Sequence, residues 1–343
     1  MIDNKTIVLT GASSGIGFEV LKLLAQGRGN RILAVARHVD NIKYFADNVT
    51  AWPCDISTRE GVDALFEKAE ELFGKIDIFY ANAGFPYYEE FNYTDWDRID
   101  AMFRTNTISP IYTYAKYIRH LNGREGILAY TVSAIGEMAI PGYAIYSSSK
   151  FALNGFQEAI RMEKPDNLQI TCLYPVATDT NFFKVANAVE FEKPFPVQKP
   201  ADVAKKMVKG IEEGAERVSP CGLFGLSKVL MGVMPPVKTV YLNMEKAKLE
   251  RFKKKLAVYH DRIHENAAAA VERGRELGET ILEREREVRG EIEEKAAKAR
   301  EELEEKASKA RDELEERTAK AREEIGEKAA RVQEEIKDKF HGV

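Results

Sequence analysis

Thr10-Gly11-Ala12-Ser13-Ser14-Gly15-Ile16-Gly17 is the stretch that decides the fold. Before it, Lys5-Thr-Ile-Val-Leu-Thr10 is an apolar run with β-branched residues and reads as a buried parallel strand. After it, Phe18, Val20, Leu21 and Leu24 fall at helical spacing. Strand, glycine turn and helix in this order make a phosphate site. The glycines permit a tight turn and close backbone approach, and the helix N-terminus presents positive partial charge to a pyrophosphate. The spacing is G-x-x-x-G-x-G, one residue longer at its start than the G-x-G-x-x-G dinucleotide fingerprint. A glycine-rich turn without a ligand is the bland alternative, and the order of the elements speaks against it.

Alternation continues outward from the turn. Strand patterns near 31–36, 50–53, 76–81, 126–132 and 168–173 interleave with helical patterns. That is the pattern of an α/β, doubly wound parallel sheet of the Rossmann type. Within it lies Tyr146-Ser-Ser-Ser-Lys150, a phenol and an ammonium at i and i+4 on one helix face. A nearby Lys⁺ favours the phenolate, which predicts a Tyr146 pKa below its usual value of about 10. A serine at a neighbouring strand end, Ser133, is placed to hold the carbonyl oxygen that exchanges that proton. The small side chains of Ser147, Ser148 and Ser149 read as helix packing, and Tyr143, with no lysine four residues on, as pocket wall.

Together these stretches resemble the classical short-chain dehydrogenases/reductases over roughly residues 1–220. Gly11, Ser13, Ser14, Gly15, Ile16 and Gly17 match the family's cofactor loop. Asp55, followed by Ile56, matches the acidic residue that meets the adenine, and Asn82-Ala83-Gly84 the element after the fourth strand. Asn106, Ser133, Tyr146 and Lys150 match the catalytic tetrad. The resemblance implies that Tyr146 is the general acid in carbonyl reduction and that Lys150 binds the nicotinamide ribose. It further implies that Ser133 polarises the carbonyl and that Asn106 holds a water linking Lys150 to solvent. One departure is Pro175-Val176, where the family has Pro-Gly; the threonines that contact the carboxamide remain as Thr178 and Thr180. A homodimer or homotetramer also follows from the resemblance.

The end of the second strand bears on the cofactor. Acidic residues there accept from the NAD ribose, whereas a basic residue suits the NADP 2′-phosphate, and this chain has Arg37. The reading is therefore NADP(H) and reduction of a ketone or aldehyde to an alcohol. An ordinary surface arginine in an NAD-dependent alcohol dehydrogenase is the alternative, as is a non-catalytic NADP(H)-binding scaffold.

The chain has 343 residues and a net charge of −4, which gives no bulk electrostatic case for nucleic acid. Cys54, Cys172 and Cys221 have no metal spacing and suit free thiols in a reducing compartment. With no signal peptide pattern at the start, the expected location is cytoplasmic, with peripheral membrane association through residues 222–343 as an addition.

Three regions are expected: a cofactor-binding domain over 1–221, an apolar then basic segment over 222–260, and a charged helical tail over 261–343. Substrate specificity is expected in 181–199, where Phe182, Phe183, Phe191 and Phe195 suit a lipophilic small-molecule carbonyl. The 222–236 stretch is too short to span a bilayer. Beside the basic cluster from Lys246 to Lys255 it reads either as an interfacial membrane segment or as a lid or dimer helix packed on the core. The tail repeats every eleven residues, with Ile292, Leu303, Leu314, Ile325 and Ile336 in phase. This predicts a long helix whose stripe is nearly straight or drifts right-handed. Pairs such as Glu291–Lys295 and Glu302–Lys306 add roughly 0.2–0.5 kcal/mol each. Lipid surface, coiled coil and free spacer all remain open for it.

Overall fold

The computed structural model describes residues 2–180, 182, 189, 191–273 and 326. Chain contacts divide the molecule into two units, Met1–Tyr259 and His260–Val343, and the site lies in the first. The repeats from Ile292 onward, Gly326 apart, and Phe183 lie outside the described residues.

The strands are β1 Thr6–Thr10, β2 Arg31–Ala36, β3 Val49–Pro53, β4 Ile78–Ala81, β5 Gly126–Thr131, β6 Leu168–Leu173, β7 Ala177–Thr178, β8 Val197–Gln198 and β9 Arg217–Val218. Seven of them form one parallel sheet in the order β3-β2-β1-β4-β5-β6-β9, and β7 and β8 form a separate parallel pair. The helices are α1 Gly15–Ala25, α2 Arg59–Phe73, α3 Trp96–Phe103, α4 Ser109–Leu121, α5 Ala144–Glu163, α6 Pro200–Glu212, α7 Gly222–Val233 and α8 Pro235–Arg273. The fold is thus a doubly wound Rossmann-type α/β sheet.

Successive strand residues serve opposite faces of the sheet. Val8, Leu33, Phe79 and Leu128 pack under α2, α4 and α5 against Phe66, Tyr117 and Leu153. Ile7, Leu9, Ile32 and Tyr80 pack under α1 and α6 against Leu21, Leu24, Met207 and Ile211. Because both faces are covered, the strands read as continuous apolar runs rather than alternating ones. Strand order reverses between β1 and β4, and a crevice opens outside their carboxyl ends, where this architecture binds its ligands.

A third cluster stands over that crevice. Tyr88, Tyr143 and Tyr146 meet Phe191, which precedes β8, and Leu249 and Phe252 from α8. Tyr88 packs on Phe191 with centroids 4.4 Å apart and on Phe252 at 5.1 Å. Tyr241 Oη donates to Phe195 O (3.2 Å), and Lys248 Nζ to Lys193 O (3.2 Å). The first half of α8 is therefore a strap over Phe191, Lys193 and Phe195. Phe252, only 4 % exposed, is its largest buried anchor. Phe252→Ala should destabilise the protein by about 3–5 kcal/mol, read by denaturant titration. No helix among the described residues is long and apolar enough to cross a membrane.

Candidate active site

The phosphate turn is built by exclusion. A Cβ on Gly17 would lie 2.2 Å from Gly11 O and 2.5 Å from Asn82 Nδ2, so only glycine lets α1 start this close to β1 and β4. Gly11 itself takes φ +66°, a left-handed conformation that glycine adopts without strain. Ser14, the N-cap of α1, makes no side-chain capping bond, so the first N–H groups of α1 face the cleft without a side-chain acceptor. That arrangement suits an anion. Gly17→Ala should therefore weaken dinucleotide binding at least about tenfold, because a backbone carbonyl cannot move aside cheaply. Calorimetric titration checks this.

Beneath the turn three strands are stitched together. Thr10 Oγ1 accepts from Asn82 N and Ala83 N (both 3.1 Å). Asn82 Nδ2 donates to Thr10 O (3.1 Å), and Thr131 Oγ1 donates to Asn82 Oδ1 (2.9 Å). Asn82 lines the cleft, but its carboxamide is committed to this bracing.

The cleft holds about 510 Å³. Arg37, Asp55 and Ile56 line one end, Gly11 to Gly17 and Asn82 to Gly84 the middle, and Ser133 and Tyr146 the other. Pro175, Val176, Thr178 and Thr180 close one side. Arg37 is exposed and makes no ion pair among the described residues. Beyond Tyr146 the described walls are Ile135, Met138, Ile140, Phe182, Phe195, Phe224 and Tyr241, none of them charged.

Ser133 sits at the end of β5 with φ +126° and ψ 150°, a conformation costly for a non-glycine residue and typical of sites where geometry is imposed. Its Oγ donates to Pro175 O (3.4 Å) and accepts from Ile135 N (3.2 Å). Tyr146 lies beside it, and Lys150, one turn on along α5, donates to Thr131 O (2.9 Å). Asn106 occupies a single π-helical turn, Arg104–Ile108, between α3 and α4. Its carboxamide accepts from Phe85 N (3.0 Å) and donates to Phe85 O (2.9 Å) and Ser149 Oγ (3.2 Å). A Cβ on Gly84 would meet Asn106 Oδ1 at 2.9 Å and Lys150 Nζ at 3.5 Å, so Asn106 and Lys150 converge on this backbone.

Residues 5–190 match the family model for the short chain dehydrogenases. The chain belongs to the short-chain dehydrogenase family. Among curated relatives, the 3-ketodihydrosphingosine reductase of Bos taurus is 29% identical over 71% of this dehydrogenase and 88% of its own length. The 3-dehydrosphinganine reductase of Danio rerio is 30% identical over 67% and 75%. An uncharacterized oxidoreductase of Bacillus subtilis is 29% identical over 56% of this chain, which spans only 57% of that relative. Among solved structures, an alcohol dehydrogenase of Thermococcus sibiricus complexed with 5-hydroxy-NADP superposes with a TM-score of 0.56 at 26% identity, covering 63% of this chain and 95% of its own. A Burkholderia cenocepacia short chain dehydrogenase in complex with NADP reaches 0.60 at 19% identity, covering 70% and 98%, and speaks to the fold alone.

The electrostatics of this dehydrogenase correct one expectation from the sequence. Burial, with the Ser133 hydroxyl as a small offset, pushes the Tyr146 phenol up rather than down. Burial also pushes Lys150 down to about 7, because its charge has been removed from water. Proximity of the lysine does not win: Nζ stands 6.0 Å from the Tyr146 ring and is bonded to a carbonyl. The Asn106 carboxamide is bonded to Phe85 and Ser149.

Val176, where the family carries glycine, needs no left-handed backbone. Thr178 Oγ1 turns back to Val176 O (3.0 Å), while Thr180 reaches across to Gly15. Phe224 and Tyr241 complete the cleft from α7 and α8, and nothing local in the sequence marks them as lining. Thr10 and Thr131 had a faint signal, as polar residues ending apolar strands. The thiols of Cys54 and Cys172 are free and are raised by burial to about 11 and about 12, which keeps them protonated.

Proposed function

We propose that the protein reduces a lipophilic ketone to a secondary alcohol, using NADPH. The observation that carries this reading is the apolar, aromatic half-cleft ending on Tyr146 and Ser133. A bound nicotinamide dinucleotide supplies the hydride. The chain's own groups do the rest: Ser133 orients the carbonyl oxygen, and Tyr146 Oη gives that oxygen its proton. A phenol raised by burial keeps its proton through the neutral range, the form a reductase needs. Asn106 and Lys150 hold α5 and the Gly84 backbone in place around it.

Arg37 supports NADP(H) over NAD(H), since its exposed guanidinium has no competing partner among the described residues and pairs strongly with phosphate. The bovine and zebrafish relatives support a keto-sphingoid or similar long-chain ketone as substrate class. Peripheral membrane association through 222–343 and a homodimer or homotetramer belong to the same reading. The test is product stoichiometry: purified chain, NADPH and a long-chain ketone should yield one alcohol per NADPH consumed. Tight NADPH binding without alcohol would instead favour a scaffold, and turnover confined to alcohol and NAD⁺ an oxidative dehydrogenase.

A further inference from the structure

The geometry points to α7 as a bilayer-docking helix: its outer face beds in an anionic lipid surface while its inner Phe224 stands at the mouth of the substrate cleft. The docking deepens the membrane association proposed above and is independent of the chemistry, whereas the idea that substrate enters from the lipid side rests on the reductase reading.

The outer face is unusually apolar. Leu223, Leu226, Val229, Leu230, Val233 and Met234 are between 44 % and 76 % exposed, and Val240 and Met244 extend the strip into α8. Other exposed apolar residues, such as Tyr44, Trp96 and Met162, are scattered along the chain. Scattered ones need no explanation, whereas a contiguous strip marks an interaction surface. The inner face is fixed to the rim of the cleft. Phe224 is buried and lines it, and Lys228 pairs with Glu137 (2.8 Å), which Arg217 also grips through two bonds of 2.7 Å. Glu137 directly precedes Met138 of the cleft wall.

Charge selects the occupant. From Gly222 to Met244 there are two lysines, Lys228 and Lys238, and no acidic residue. Lys238, Lys246, Lys254 and Lys255 are exposed without an ion pair among the described residues. In a two-fold contact with a second copy the same patch meets itself, so these cations would face cations. Anionic headgroups complement them instead. A helix of this length, about 18 Å at 1.5 Å per residue, is too short to span but suits lying in the interface.

The experiment is co-sedimentation of the full chain with phosphatidylcholine vesicles, with and without phosphatidylglycerol. It is repeated for the exposed-face double variant Leu226→Glu/Leu230→Glu. NADPH binding and melting temperature show that the variant is folded. The wild type should pellet with the anionic vesicles, and the variant should bind at least about tenfold more weakly. Turnover of a short soluble ketone should be unchanged in the variant, while turnover of a long-chain ketone presented in vesicles falls with binding. Equal binding by both proteins would overturn the proposal, moving any attachment to another part of the chain. Failure of the wild type to pellet would overturn it too, as would a vesicle-indifferent dimer that the variant converts to monomer. Loss of vesicle binding in the variant with no ketone turned over by either protein would leave the docking standing and sink the reductase reading.

Discussion

Tyr146→Phe is expected to lower ketone reduction by about 10²–10⁴-fold while NADPH still binds. The substitution removes only the hydroxyl. The ring keeps its edge contacts with Tyr143 at 6.2 Å and Phe182 at 6.0 Å, so the cleft keeps its shape. Steady-state kcat together with NADPH titration by fluorescence separates lost chemistry from lost binding. Near-full activity in the variant would remove Tyr146 from its assigned role. A related expectation concerns pH. Lys150 is pushed down to about 7 from 10.5, so the unfolded chain binds more protons than the folded one between those values. The penalty for burying the charge is complete below about pH 7 and is relieved as pH rises toward 10.5. Stability contributed by this site therefore increases across that window, and Lys150→Met should flatten the increase in urea titrations at a series of pH values.

Arg37→Glu is expected to invert the cofactor preference. Hydrogen bonds to a charged group contribute about 1.5–3 kcal/mol, which is roughly 10–150-fold in affinity before any repulsion from the new carboxylate is added. NADPH affinity should fall by at least that factor. NADH affinity should hold or improve, because a carboxylate at this position accepts from the ribose hydroxyls. The ratio of the two dissociation constants, measured for both proteins, is the readout. A ratio unchanged by the substitution would make Arg37 an ordinary surface residue.

Legibility in the sequence followed locality. Arg31–Ala36 and Leu168–Leu173 stand out because buried parallel strands must be apolar throughout, and the glycine turn because close backbone approach excludes side chains. The two-residue strand β9 pairs with β6 through backbone alone and leaves no pattern. The π-helical turn under Asn106 is likewise silent, since one extra residue in a helix does not disturb the apolar spacing around it. The Tyr146 pKa moves opposite to the direction expected because spacing reveals proximity but not burial, and here burial dominates. Phe224, Tyr241 and Phe252 reach the cleft and the aromatic cluster over it from helices far along the chain. A lid is one of the alternatives for the segment after 222, and the folded arrangement adds that 222–259 supplies both wall and strap.

The most direct test of the central claim is kcat/KM for NADPH-dependent reduction by the full chain, across ketones that differ only in acyl length. Each methylene buried against Met138, Phe182, Phe195 and Phe224 is worth at most about 0.8 kcal/mol, roughly a fourfold gain. The account predicts a steady rise with chain length until the cleft is filled. A flat profile, or turnover restricted to short polar carbonyls, would contradict it.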